Sequence, residues 1–418
     1  MTESFFDLVK LFACGTHGKD FVPDHKIDAK QIFDHGKKQG IWTVAFPVLK
    51  KLYEAGYVDV TDEQMNAYES LFFGIAMNAA MRSETVYAAI SSLEKQGIEC
   101  CLLKGEVLSE LYSDPSLRIS SDTDILIDIN KVSEQQVCKA MEKEGFETKH
   151  RPGTSHHAMC THPVGGLVEF HLSLYDELFE DVWFNNMTVN EEPFRDFVTS
   201  GGHTYKTLGI TDGAIFVSMH LIKHFLSEGV GVRQLMDTLL YLHHYKADIN
   251  WDRYKNLMQE LKFEKFISLC CHIGEKYLMF ESGEFDHLKT GDFDEFAAEK
   301  LFEDMEAGGK FGHDDEWRKD FYKKYTQLRF SRYKTGDYDE YMKNWIHEKW
   351  YKRLFPPAKA IWNRYTYLKK CKLLLPVAWV QHLFDFAKRK TVADAEKMQI
   401  TDTVAKERME LIDRLDMI

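Results

Sequence analysis

The chain reads as an α+β protein: a small mixed β-sheet, preceded by a helical segment and followed by a larger helical portion. Three observations lead there. Apolar residues recur at three- and four-residue intervals through Ile41 to Glu54 and Asp62 to Lys95, with few strand signals among the first 95 residues. The register changes at Ile98, where Ile98 to Leu103 forms a short, bounded apolar run of the kind that makes a buried strand. After Thr211 the helical spacing returns and persists.

Taken in order, Lys104-Gly105 breaks the first strand, and Glu106 to Tyr112 reads as a short helix. Asp122 to Ile129 alternates polar and apolar residues in its first half, as a strand with one wet face does. Ser133 followed by Gln136 fits a capping box for a helix running to Glu144, with Gly145 as its stop. Phe146 to Arg151 and His156 to Thr161 can pair as strands, and Gly165-Gly166 turns the chain into Leu167 to Leu174. Thr211 or Asp212 can cap a helix to Glu228, Val232 to Tyr245 forms another, and helices continue from Trp251 to Phe280. The tail from Phe293 reads as helical, interrupted at Pro356-Pro357 and Pro376. The implied divisions are a helical segment at 1–95, a sheet-bearing core at 96–205, a helical domain at 206–290 and a helical extension at 291–418.

Composition narrows the class. A chain of 418 residues is longer than one hydrophobic core usually grows, and 44% hydrophobic residues suffice for real cores. A formal charge of -13 argues against an extended grip on a nucleic-acid backbone, which needs concentrated Lys and Arg. Four of the eight cysteines form two adjacent pairs (Cys100-Cys101 and Cys270-Cys271) and no CxxC occurs, so buried free thiols in a reducing cytoplasm are expected. No signal peptide and no membrane span are expected.

The chemistry concentrates in two segments. Asp122 and Asp124, two apart on a strand, leave the same face and repel each other unless something positive lies between them. A hard divalent cation is the natural partner, although a solvated strand end carries the same DxD. Glu169 and His171 likewise share one face of Val168-Glu169-Phe170-His171. If the two strands are neighbours, three carboxylates converge and can hold one or two magnesium ions for in-line attack on phosphorus. Lys104 and Arg118 are the basic residues best placed to offset phosphate charge, and Arg118 could equally pair with Asp122 or Asp124 when no metal is bound. Arg233 and Asp237, at i and i+4, read as a helical ion pair. His220 and His224 share a helical face that could reach a ligand.

The order of these motifs resembles a known family. Leu103-Lys104-Gly105, then Leu117-Arg118 before Asp122-Thr123-Asp124-Ile125-Leu126-Ile127, then Val168-Glu169-Phe170-His171, look like the uncharacterised nucleotidyltransferase family of the polymerase-β-like superfamily. His220, His224, Arg233, Asp237 and Ile249-Asn250-Trp251 extend the likeness. The resemblance implies a nucleotidyltransferase core at 96–205 and a substrate-side helical domain at 206–290. It implies that Asp122, Asp124 and Glu169 are catalytic and bind two magnesium ions, with an NTP as co-substrate. Lys104, Gly105, Arg118 and His171 would contact the nucleotide, Gly105 lying in the turn that approaches the triphosphate. The superfamily usually has Gly-Ser at that turn; here Glu106 follows Gly105, and a carboxylate there repels a triphosphate unless it points away. The activity implied is transfer of a nucleoside monophosphate to an acceptor hydroxyl with release of pyrophosphate. A small hydroxylated acceptor fits the acidic charge better than a polynucleotide. A toxin-like transferase acting on tRNA or protein, and a silent nucleotide-binding scaffold, are the alternatives.

Overall fold

Helix α1 (Glu3–His17) begins where Thr2, in extended backbone, turns its hydroxyl back onto the Phe5 amide, and it ends where Gly18 enters the left-handed region. Asp28 caps α2 (Ala29–Gln39) through the Lys30 and Gln31 amides, and α3 (Trp42–Glu54) follows. Helix α1 lies so close to α3 that a Cβ on Gly15 would stand 2.1 Å from the Val44 carbonyl oxygen. Two-residue strands β1 (Ile27–Asp28) and β2 (Val58–Asp59) pair in parallel beside these helices, in a stretch the sequence presents as helical throughout. So short a pair leaves no alternation to read. Helix α4 (Asp62–Lys95) opens on a complete capping box formed by Thr61 and Gln64.

This computed structural model describes residues 2–120, 122–127, 132–149, 157–163, 167–171, 174, 192–310, 322, 365–369, 372–389 and 407–417. The chain divides into two compact units, Met1–Lys323 with Arg414–Met417, and Lys324–Asp413 with Ile418.

The sheet of the first unit has seven strands: β3 (Cys100–Leu102), β4 (Thr123–Ile127), β5 (Glu147–Lys149), β6 (His157–Thr161), β7 (Leu167–His171), β8 (Arg195–Val198) and β9 (Thr204–Thr207), in the order β5-β6-β7-β4-β3-β9-β8. Strand β4 runs antiparallel to β3 and parallel to β7, so the sheet is mixed, as the sequence predicts. Both faces of β3 are buried, which accounts for its unbroken apolar run. Helix α5 (Glu106–Ser109) is a single turn between β3 and β4, and α6 (Glu134–Lys143) carries the predicted Ser133–Gln136 capping box. The hairpin β8–β9 extends the sheet beyond β3 in a segment where no strand was assigned. Strand β4 begins at Thr123, one residue after Asp122. The Gly165-Gly166 turn lies outside the described residues, as do Arg151, His156 and Pro356-Pro357.

Helices α7 (Ile210–Ser227), α8 (Val232–His244), α9 (Trp251–Glu260), α10 (Glu264–Tyr277) and α11 (Glu295–Ala307) complete the first unit. Neither Thr211 nor Asp212 caps α7; Gly209 holds that position without a side-chain bond. Both side chains are instead buried. The Thr211 hydroxyl accepts the Asn250 amide at 3.1 Å, and Asp212 accepts the Glu192 amide at 3.0 Å and pairs with Arg253. Helices α7 and α8 meet at Gly213, where a Cβ would stand 2.1 Å from the Tyr241 hydroxyl oxygen.

In the second unit, 3₁₀ turns at Thr366–Lys369 and Lys372–Leu374 lead into α12 (Leu375–Arg389), with Tyr365, Leu368 and Ala378 buried together. Pro376 sits in the first turn of α12, where its missing amide proton costs nothing, so it starts a helix rather than interrupting one. No described helix is long and apolar enough to cross a membrane. The described cysteines are all free and buried, as expected from their spacing.

The α1–α3 contact gives a test. Gly15→Ala should lower stability by about 1–3 kcal/mol, the ordinary cost of forcing atoms into a packed interface, read as a lower urea midpoint. An unchanged midpoint would contradict the contact.

Candidate active site

The parallel pairing of β4 and β7 sets Asp124 opposite Glu169 and Leu126 opposite His171. Side chains two apart share a face, so Asp124, Glu169 and His171 emerge together. One ligand atom from each lies within 4.8 Å of the others. Strand β3 supplies the fourth member. The Leu103 amide donates to the Asp124 carbonyl at 3.0 Å, and Lys104, the next residue, places its ammonium 3.0 Å from Asp124 Oδ2. His171 Nε2 lies 2.7 Å from Asp124 Oδ1 and donates to it.

Asp124 is 1% exposed, and its environment is charged on both sides. Burial pushes its carboxyl up, but the Lys104 ammonium and the His171 hydrogen bond outweigh burial and hold it well below the usual carboxylate range. Glu169 goes the other way. Burial, then the negative charges of Asp124 and Asp122, raise its carboxyl above the ordinary value. Two adjacent carboxylates with opposed proton affinities therefore stand side by side.

The donor set suits a divalent cation. Two carboxylates and an imidazole converge, and Asp124 Oδ2 is buried against the Lys104 ammonium. Asp122 is not a member of this converging group. It precedes β4, where the Ser120 hydroxyl donates to its carbonyl at 2.8 Å, and it lies close enough to Glu169 to raise that carboxyl.

Lys104 is itself held from behind. Its Nζ lies 3.1 Å from Nε2 of His220 on α7, which in turn stands 3.2 Å from His224 Nε2. Burial and then the Lys104 charge push the His220 imidazole well below its ordinary value, so it stays neutral and accepts from the ammonium.

Gly105 has φ +82, a conformation that L side chains rarely adopt, and it turns the chain from β3 into α5. Its carbonyl accepts from Arg118 Nη1 at 3.2 Å and from the Ser109 hydroxyl at 3.0 Å. Glu106 packs into the protein, with Oε2 buried and without a hydrogen bond, and burial raises its carboxyl. Burial of this kind weakens the repulsion expected between Glu106 and a phosphate.

Arg118 does not pair with Asp122 or Asp124. Its guanidinium grips Asp237 of α8 with both arms, Nη2 to Oδ2 at 2.6 Å and Nε to Oδ1 at 3.1 Å, and the Tyr112 hydroxyl adds a third bond at 2.7 Å. Asp237 is thereby taken from Arg233, its expected helical partner, whose Nη1 donates instead to the Ile119 carbonyl at 2.7 Å. Spacing alone favoured the i,i+4 pair; the fold brings a better-aligned, buried fork to the same carboxylate. Both arginines thus pin the segment before β4 onto α8.

Two cavities meet at Ser120 and Asp122. The smaller, about 40 Å³, opens between Lys104, Arg118 and the faces of α7 and α8 that carry His220 and Arg233. The larger, about 280 Å³, lies beneath α4 and is bordered by Gly105, Glu106 and Arg82. Arg82 carries no local signal in the sequence, where the only pattern around it is the apolar periodicity of its helix.

A mixed sheet thus carries clustered carboxylates on parallel neighbours, backed by helices. The family model described as "Uncharacterised nucleotidyltransferase" matches residues 26–279, more than half the chain, and the protein belongs to that family. It is a transferase of the nucleotidyl-transfer type. Comparison with curated proteins and comparison with solved structures each found no match.

The anchoring role of Asp237 is open to measurement. Asp237→Asn leaves Arg118 buried without its counter-charge and should lower stability by about 3–5 kcal/mol in urea denaturation. A loss under about 1 kcal/mol, the size of an exposed pair, would refute it.

Proposed function

We propose that this enzyme transfers a nucleoside monophosphate from an NTP to the hydroxyl of a small acceptor, releasing pyrophosphate, with magnesium held by Asp124, Glu169 and Asp122. The observation that carries this reading is the juxtaposition of Asp124 and Glu169 across β4 and β7, with His171 converging on the same point. In the reaction the acceptor oxygen forms a bond to the α-phosphorus while the bond from that phosphorus to the bridging oxygen of the β-phosphate breaks. Divalent metal bound here would act as a Lewis acid on the phosphate oxygens.

The protein's own residues divide the remaining work. Asp124, held ionised by Lys104 and His171, is a fixed negative ligand. Glu169, with its raised proton affinity, is suited to take the acceptor's hydroxyl proton, because a base with a higher pKa has the greater driving force for proton transfer. His171 orients the Asp124 carboxylate, and Lys104 offsets its charge until a ligand arrives. The net charge of -13 favours a small hydroxylated acceptor over a polynucleotide.

Pyrophosphate release from each NTP with magnesium, offered metabolite pools and total RNA separately, tests the reading. Release should need magnesium and vanish in Asp124→Asn; turnover retained by that variant sinks the assignment. Release stimulated by RNA alone would move the acceptor to a nucleic acid. Lys104 gives a separate prediction. Because its ammonium neighbours Asp124 Oδ2, Lys104→Met should tighten manganese binding in calorimetry without nucleotide while lowering turnover. Weaker metal binding in that variant would show that Lys104 does not compete with the cation.

A further inference from the structure

We propose that Arg82, on α4, binds the phosphate chain of the nucleoside triphosphate in the cavity of about 280 Å³ beside Asp122. The proposal rests on the nucleotidyl-transfer reading and names the residue that meets the triphosphate.

The other cations at the site are already committed. Lys104 is held between Asp124 and His220. Arg118 is gripped by Asp237 and the Gly105 carbonyl. Arg233 donates to the Ile119 carbonyl. Drawing any of them onto a ligand breaks a contact that holds the site together. Arg82 is different. Among the described residues it makes no hydrogen bond and no ion pair, yet it is half-buried in the wall of the larger cavity. Burial lowers its pKa, with Glu106 and Asp122 opposing that effect, and a guanidinium remains charged across any ordinary pH. A partly desolvated guanidinium with open donors is costly unless something accepts from it.

The same cavity is bordered by the Ser109, Ser116 and Ser120 hydroxyls and by the Gly105 turn. Its acids are largely taken up. Glu84 pairs with His203 at 2.8 Å, and Glu110 accepts the Ser200 amide at 2.9 Å and its hydroxyl at 3.0 Å. Burial raises the Glu106 carboxyl. A planar guanidinium fork with open donors, in a cavity shared with the Gly105 turn and Asp122, matches the chemistry of phosphate oxygens. Asp122 borders both this cavity and the smaller one, which Lys104 also lines, so a phosphate chain held by Arg82 would lie beside Asp122.

The test is calorimetric titration of the full chain with magnesium tripolyphosphate, ATP and a sugar phosphate, in wild type, Arg82→Gln and Arg82→Lys. Arg82→Gln should weaken tripolyphosphate and ATP about tenfold or more, as expected for losing a charge-assisted contact. Arg82→Lys should restore part of that loss. The urea midpoint of Arg82→Gln should not fall, because no protein partner is lost. Wild-type and Arg82→Gln proteins binding tripolyphosphate equally would overturn the proposal while leaving nucleotidyl transfer intact. A loss confined to the sugar phosphate would also overturn it, assigning the cavity to a phosphorylated acceptor. Wild type that binds neither tripolyphosphate nor ATP would overturn both this proposal and the transfer reading.

Discussion

Parallel hydrogen bonding between β4 and β7 fixes Asp124 directly beside Glu169, and two acidic side chains at that separation need nearby positive charge to stay ionised. Much of the surrounding structure answers that need. Lys104 arrives from β3, His171 from the same strand as Glu169, and His220 on α7 holds Lys104 in place. The outcome is asymmetric: Asp124 is held ionised while Glu169 is pushed toward its protonated form. A pair of carboxylates with separated proton affinities is what distinct ligand and base roles require.

A second buried charge system, Arg118 with Asp237 and Tyr112, sets the position of the first. Arg118 also binds the Gly105 carbonyl, so one guanidinium ties α8 to the turn that follows β3. Arg233 adds the Ile119 carbonyl, three residues before Asp122. The segment carrying Asp122 is therefore fixed by side chains from the helical portion, although its chemistry belongs to the sheet.

How legible this was depends on the range of each interaction. Strand β7 could be read because period-2 alternation survives in Leu167 to His171, β4 because its apolar run is short and bounded, and α6 because Ser133 and Gln136 are a local capping pair. The two-residue strands β1 and β2 were illegible, being too short for any period. Hairpin β8–β9 left one local signal, the Ser200-Gly201-Gly202 turn, which was passed over between stronger patterns. Long-range pairing was the harder limit. Nothing local says that Asp237 prefers an arginine 119 residues away to the one a helical turn behind it. Thr211 and Asp212 failed as caps for the same reason: their partners, Asn250 and Arg253, come from another helix.

Glu106 shows how a residue that looks wrong in sequence becomes acceptable in three dimensions. At the position where a serine is usual, a solvent-facing carboxylate would oppose phosphate. Here the side chain is turned into the protein beneath α4, and burial raises its proton affinity. The same burial brings it near enough to Arg82 for each to influence the other's charge, without a hydrogen bond between them. On this geometry α4, from the N-terminal helical segment, borders the cavity beside Asp122 and carries Arg82 in its wall.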